Sequence, residues 1–109
     1  MPQKIQSFDE IAGEFAERAH AAVWCHVATV DRQNRPRSRV LHPIWEGSVG
    51  WICVNRHSPK SKHMASNPYV SLAYIADPIR PVYAECRAYW ADDLAAKERV
   101  WNLFKEAPE

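Results

Sequence analysis

The links between the apolar runs constrain this chain more than any other feature. Five runs with strand character follow one another: AVWCHVATV (Ala22–Val30), RSRVLHPIW (Arg37–Trp45), GWICV (Gly50–Val54), YVSLAYI (Tyr69–Ile75) and VYAECRAYWA (Val82–Ala91). Between them, DRQNRP, EGSV and ADPIRP are turn-rich and short. A crossover between parallel strands takes roughly a dozen residues or more, so links of this length dictate antiparallel neighbours. Only the stretch from Asn55 to Pro68 is long enough for an element of its own. It reads as a short helix, Ser58 to Ser66, with Ser58 at the N-cap, Pro59 at the first helical position and Asn67-Pro68 as the stop.

Helices flank the strands. SFDEIAGEFAERAH carries Ser7 and Glu10 at capping-box spacing, and Phe8, Ile11, Ala12, Phe15 and Ala19 fall on one face. After the last strand, Asp92 or Asp93 is positioned to cap a helix with Leu94, Lys97, Val100, Trp101 and Phe104 near one face. The expected fold is mainly β: a small antiparallel barrel with short flanking α-helices, in a single domain over residues 1–109. Five strands close a barrel poorly, and EAPE follows directly on a helix. A final strand is therefore expected to be missing, or a partner chain to supply the closure.

Composition narrows the function classes. No run of about 18 apolar residues exists, and MPQKIQSFDE lacks the apolar segment of a signal peptide. Cys25, Cys53 and Cys86 are odd in number and each sits in an apolar stretch, so reduced, buried thiols in a cytoplasmic protein are expected. A net charge of +1 argues against a general nucleic-acid binder. Yet from Asp31 to His63 there are seven Arg and Lys against two acids, Asp31 and Glu46. That local surplus suits a compact anionic ligand.

The surplus has a focus. In NRHSPKSKHM (Asn55–Met64) the helix start at Ser58 offers free N–H groups beside Lys60. Strand alternation puts Arg37, Arg39 and Leu41 on one face of the second strand, and Ser38, Val40, His42 and Ile44 on the other. An arginine on such a face can bind a phosphate in bidentate fashion. Arg39, Ser58 and Lys60 are expected to converge as a phosphate socket, against the plainer reading in which Ser58 only caps and the lysines are solvated.

RSRVLHPIW, VNRHSPKSKHMASNPYVSLAYI and YAECRAYWADD, in that order, resemble the flavin-binding split barrels related to pyridoxamine 5'-phosphate oxidase. The resemblance runs from about Val23 to Trp101. It implies a Greek-key-like split barrel binding flavin mononucleotide (FMN), with Arg39, Ser58 and Lys60 on the phosphate. It further implies that the isoalloxazine edge lies along the backbone of Val40 and Leu41 and near Asn55. A homodimer is implied, with two cofactors in the interface and each contacted by both chains. Strand faces bearing Trp45 and Leu41 are expected near the partner. Two departures are visible: Cys86 stands where relatives often have glycine, and the carboxy-terminal segment that recognises the pyridoxal substrate is absent. Oxidation of pyridoxamine phosphate is therefore not the implied activity.

The resulting reading is an FMN-dependent oxidoreductase of unknown small-molecule substrate, with no side chain demanding the role of catalytic acid or base. Its rivals are a reductase using the deazaflavin coenzyme F-420, a non-catalytic flavin- or haem-binding module on the same fold, and a small basic interaction domain. No metal site is expected, since Cys53, His57 and His63 match no zinc spacing. Neither a nucleic-acid nor a membrane partner is expected. Trp24, Trp51, Trp90 and Trp101 are expected in the core or an interface, and Trp45 in the wall of a pocket.

Overall fold

The computed structural model describes residues 4–54, 57–91 and 93–106. The Ser7 capping box forms: the Ser7 hydroxyl accepts from the Asp9 N–H, and the Glu10 carboxylate accepts from the Ser7 N–H at 3.0 Å. It closes a single 3-10 turn, Phe8–Glu10, and the helix α1 proper runs Ala12–Ala22. Phe15 and Ala19 are its buried face. The strands are β1 (Cys25–Val30), β2 (Pro36–Leu41), β3 (Ile44–Glu46), β4 (Val49–Trp51), β5 (Tyr69–Tyr74) and β6 (Val82–Arg87). Helix α2 (Pro59–Ser66) lies between β4 and β5, and α3 (Leu94–Glu106) follows β6. No described helix is long and apolar enough to cross a membrane.

All strand pairings are antiparallel. They form a four-stranded sheet in the order β2-β1-β5-β6 and a separate two-stranded sheet, β3-β4. Among the described residues six strands thus stand where five were expected, because the second run divides. Pro43 has no N–H to give a ladder, and the chain turns there. Ile44–Glu46 then pairs with Val49–Trp51 through a two-residue loop whose first residue, Gly47, has φ of 59°, as a primed hairpin turn requires. The last strand is also shorter than expected. It leaves the ladder at Arg87, with one further bond from the Ala88 N–H to the Pro68 carbonyl at 2.7 Å.

One face of the large sheet is the core. Cys25, Val27 and Thr29 of β1 alternate inward, as do Leu72 and Tyr74 of β5. Helix α1 closes over them, with Phe15 edge-on to both Trp45 and Tyr74. The Trp45 indole N–H donates to the Tyr74 hydroxyl at 2.8 Å, and its backbone N–H donates to His20 Nε2 at 3.0 Å. Burial pushes the pKa of the Tyr74 hydroxyl up, and that of the neighbouring Cys25 thiol as well.

Several expectations about placement fail. Of the three thiols Cys25 is buried and Cys86 half-buried, but Cys53 is exposed. Trp24 and Trp101 are 56% and 59% exposed, so of the core-or-interface expectation only the interface remains for them. Trp45 is the buried tryptophan, and Leu41 is half-buried. Helix α3 buries Val100, half-buries Ala96, Leu103 and Phe104 beside it, and adds a polar contact at the surface. Arg99 Nη1 donates to both Glu46 oxygens at 2.7 Å and its guanidinium sits over Trp51, whose indole N–H also donates to Glu46.

Candidate functional site

The inward alternation of β1 and β2 sets Arg39 opposite Val27, with its guanidinium reaching toward α2, which packs on β1. Arg39 Nη1 donates to Thr29 Oγ1 at 2.8 Å, and Nη2 lies 3.3 Å from Nδ1 of His63 on α2. Thr29 Oγ1 is itself 3.2 Å from the same imidazole nitrogen. Burial, and then the charge of Arg37, lower the pKa of the Arg39 guanidinium. It nonetheless stays charged at neutral pH, as guanidinium does in proteins. Arg37 pairs with Asp31 at 3.6 Å; among the described residues Arg39 pairs with no carboxylate.

Asp31 is the anchor of the β1–β2 turn. It accepts from the backbone N–H groups of Gln33 and Arg35 and from Arg35 Nε, each at 2.9 Å. The Arg35 backbone bond above all holds its carboxyl below the usual aspartate range. Asp31 thus pairs with Arg35 and Arg37 and leaves the inward Arg39 without a carboxylate among the described residues.

At the start of α2 the Ser58 hydroxyl accepts from the Ser61 N–H at 3.3 Å and shares a second hydrogen bond with the Ser61 hydroxyl at 2.9 Å. Ser58 therefore caps, as the plainer reading held. Where Ser61 is the hydroxyl donor, the Ser58 proton is left over for an outside acceptor. Pro59 has no N–H, Ser61 bonds to the cap and the Lys62 N–H donates to the Ser58 carbonyl at 3.2 Å. The first turn is thus open at Lys60, which is half-buried and forms no ion pair among the described residues. Lys60 and His63 stand three residues apart, on neighbouring turns of one helix face. The contact between His63 and Arg39 links β2 to that face.

Val40 and Leu41 lie on an edge strand, since β2 ends the order of its sheet. Alternate residues of such a strand direct N–H and C=O groups away from the sheet, free for a planar ligand with matching donors and acceptors. Their side chains diverge: Val40 faces out and Leu41 inward, where it lines a cavity of about 780 Å3. That cavity is bounded by the core face of the sheet at Val27 and Leu72, the hairpin at Trp45 and Trp51, and α3 at Val100. Trp45 therefore does stand in its wall. Asn55 lies outside the described residues. Sequence reasoning misses Thr29 and His63. The visible signals are a hydroxyl on the core face of an otherwise apolar strand, and a histidine three residues after Lys60.

A family model described as pyridoxamine 5'-phosphate oxidase matches residues 11–107. The chain belongs to the pyridoxamine 5'-phosphate oxidase family. Solved structures agree on the split-barrel fold. A putative pyridoxamine 5'-phosphate oxidase from Listeria innocua is 19% identical with a TM-score of 0.73, covering 91% of this chain and 82% of its own. A pyridoxamine 5'-phosphate oxidase-related, FMN-binding protein from Nostoc punctiforme is 14% identical with a TM-score of 0.65, covering 97% of this chain and 60% of its own. The heme storage protein HutZ from Vibrio cholerae is 16% identical with a TM-score of 0.67, covering 87% and 74%. No curated protein matches the chain. Folds of this shape thus include both FMN-binding and haem-storing proteins, and the residues of the individual chain must discriminate between them.

Proposed function

We propose that this member of the family binds FMN, with its phosphate held by Arg39, Ser58 and Lys60, and serves as an FMN-dependent oxidoreductase acting on a small molecule. One observation carries the reading: the Arg39 guanidinium is turned inward, partly desolvated and without a carboxylate among the described residues, on an edge strand tied to the face of α2 that bears Lys60. A phosphate supplies the missing negative charge and accepts from a guanidinium fork. Lys60 contributes a charge and a free backbone N–H, and the helix start adds the positive end of its dipole. The edge of β2 at Val40 and Leu41 orients the ring by backbone hydrogen bonds, with Asn55 as a further candidate contact. Bound flavin would supply the electron and hydride chemistry, while the protein binds, orients and shields.

The purified protein is expected to show flavin absorption bands, and apoprotein to bind FMN more tightly than riboflavin. Equal affinity for the two removes the phosphate from the reading. A Soret band without flavin bands would favour a haem-binding module, which the apolar cavity of about 780 Å3 has room to serve.

The same reading includes a homodimer. Directly paired residues point to one side of a sheet, so Val40, His26, Ala73 and Tyr83 form a row across all four strands on the face away from the core. Val40 and Tyr83 in that row are 53% and 68% exposed. Val40, Ala73 and the Tyr83 ring, with His26 among them, give this exposed sheet face apolar area that suits a second copy. Sedimentation equilibrium is expected to give a dimer at micromolar concentration, and V40E/Y83E a monomer. A wild-type monomer at that concentration overturns the dimer.

A further inference from the structure

We propose that Thr29 and His63 are positioning residues that hold the Arg39 guanidinium ready for an anion before the anion arrives; the inference rests on the phosphate reading above. The three groups close a triangle. Arg39 Nη1 donates to Thr29 Oγ1 at 2.8 Å, and Arg39 Nη2 and Thr29 Oγ1 lie 3.3 and 3.2 Å from His63 Nδ1. Guanidinium has donors only, so the nitrogen that faces it must be the acceptor. That assigns the imidazole proton to Nε2. Thr29 Oγ1 accepts from Arg39 and has its own proton left, and the Thr29 O–H and the Arg39 Nη2–H share the single Nδ1 lone pair. Each hydrogen has one destination, and the set is closed without a carboxylate.

The placement explains why neutral partners were used. An aspartate in the place of Thr29 would hold Arg39 more firmly but would cancel the charge that the anion needs. A hydroxyl and a neutral imidazole fix the direction of the fork and leave its charge intact. Two of the five guanidinium N–H groups are engaged, and the others remain for a ligand. Thr29 is 1% exposed, so its hydroxyl is fixed by packing and is not free to seek water. His63 comes from α2, so the triangle also sets the distance between β2 and the helix that carries Lys60. Losing the hold obliges the arginine to be ordered on binding, and ordering one rotamer-rich side chain costs about two- to tenfold in affinity.

The test titrates FMN and riboflavin against apoprotein, with melting temperature as the folding control. T29V, which preserves shape and removes the hydroxyl, is expected to weaken FMN about two- to tenfold and leave riboflavin unchanged. T29S should bind FMN as wild type does. H63N, whose Oδ1 can stand in for Nδ1, should retain FMN affinity better than H63L. In an R39M background T29V should add nothing. If R39M lowers FMN affinity and T29V does not, the positioning role is wrong and the phosphate site stands. If R39M leaves FMN affinity unchanged, the phosphate reading itself fails. A ligand-free readout separates the two further: 15N shifts of His63 at neutral pH should show a proton on Nε2 and a bare Nδ1, and a proton on Nδ1 overturns the triangle whatever FMN does.

Discussion

Lys60→Ala lowers FMN affinity about ten- to a hundredfold and leaves riboflavin affinity where it was. The size follows from removing one charge-assisted contact to a partly shielded anion, worth roughly 1.5–3 kcal/mol. Lys60 is the right residue to change because its ammonium makes no ion pair among the described residues, so little else is lost with it. Ser58→Ala is a poorer probe. Its hydroxyl caps α2 through the Ser61 N–H, and losing a cap costs about 1 kcal/mol of stability whether or not a ligand is present. Arg39→Lys should weaken FMN as well, since an ammonium reproduces neither the fork nor both contacts to Thr29 and His63. Isothermal titration of both ligands against wild type, K60A and R39K decides it. Parallel losses for FMN and riboflavin would mean that Lys60 acts on the fold or the ring, and the phosphate assignment would fail.

Much of the fold was legible because turn chemistry and link length act locally. DRQNRP reads as a turn, and the structure supplies the mechanism, an aspartate that accepts from two backbone N–H groups and an Asn34 at φ of 62°. Ser58-Pro59 reads as a helix start and is one. The errors lie where one local signal met another. RSRVLHPIW alternates well enough to look like one strand, but Pro43 lies inside it and the ladder has to change sheets there. AVWCHVATV looks apolar from Ala22 onward, yet α1 keeps Ala22, and the chain enters β1 only after Val23, at φ of 70°. Trp24 is left outside as a result, its ring 5.5 Å from that of His42, which in turn stacks edge-on with Phe104. Burial lowers the pKa of that imidazole.

The candidate site was legible as charge and less so as geometry. An arginine at an inward strand position and a lysine in the first turn of a helix can be read from alternation and capping alone. Which arginine is free cannot be read this way. Arg32, Arg35, Arg37 and Arg39 look alike along the chain, and only the folded turn shows Asp31 bound to Arg35 and Arg37 and out of reach of Arg39. The roles of Thr29 and His63 depend on packing α2 against β1, a contact between residues 34 apart in sequence. The local pattern marks Thr29 as a hydroxyl on an otherwise apolar strand face, but threonine is also a common strand former, so the pattern does not name its partners.

Trp45→Ala should be the most damaging single change in the core, destabilising by about 3–5 kcal/mol, the usual range for truncating a buried indole. Three contacts go together. Phe15 loses the edge-to-face partner at 4.7 Å, the Tyr74 hydroxyl loses the indole donor at 2.8 Å, and the ring that covers Gly50 disappears. A domain of this size has only about 5–15 kcal/mol in total, so much of the margin is gone and the melting temperature should fall by at least about 12 °C. Two companion variants separate the causes. Trp45→Phe keeps most of the packing and deletes the N–H, so it isolates the buried hydrogen bond at about 1 kcal/mol. Gly50→Ala leaves the tryptophan in place but sets a Cβ 3.0 Å from two of its ring carbons, and overpacking of that kind costs about 1–3 kcal/mol. Urea unfolding of the three variants ranks them, with Trp45→Ala the worst. A loss within about 0.5 kcal/mol, the level of a surface change, would show that Trp45 does not organise the core. The backbone bond from the N–H of residue 45 to His20 survives in Trp45→Ala, so the loss reports the side chain alone.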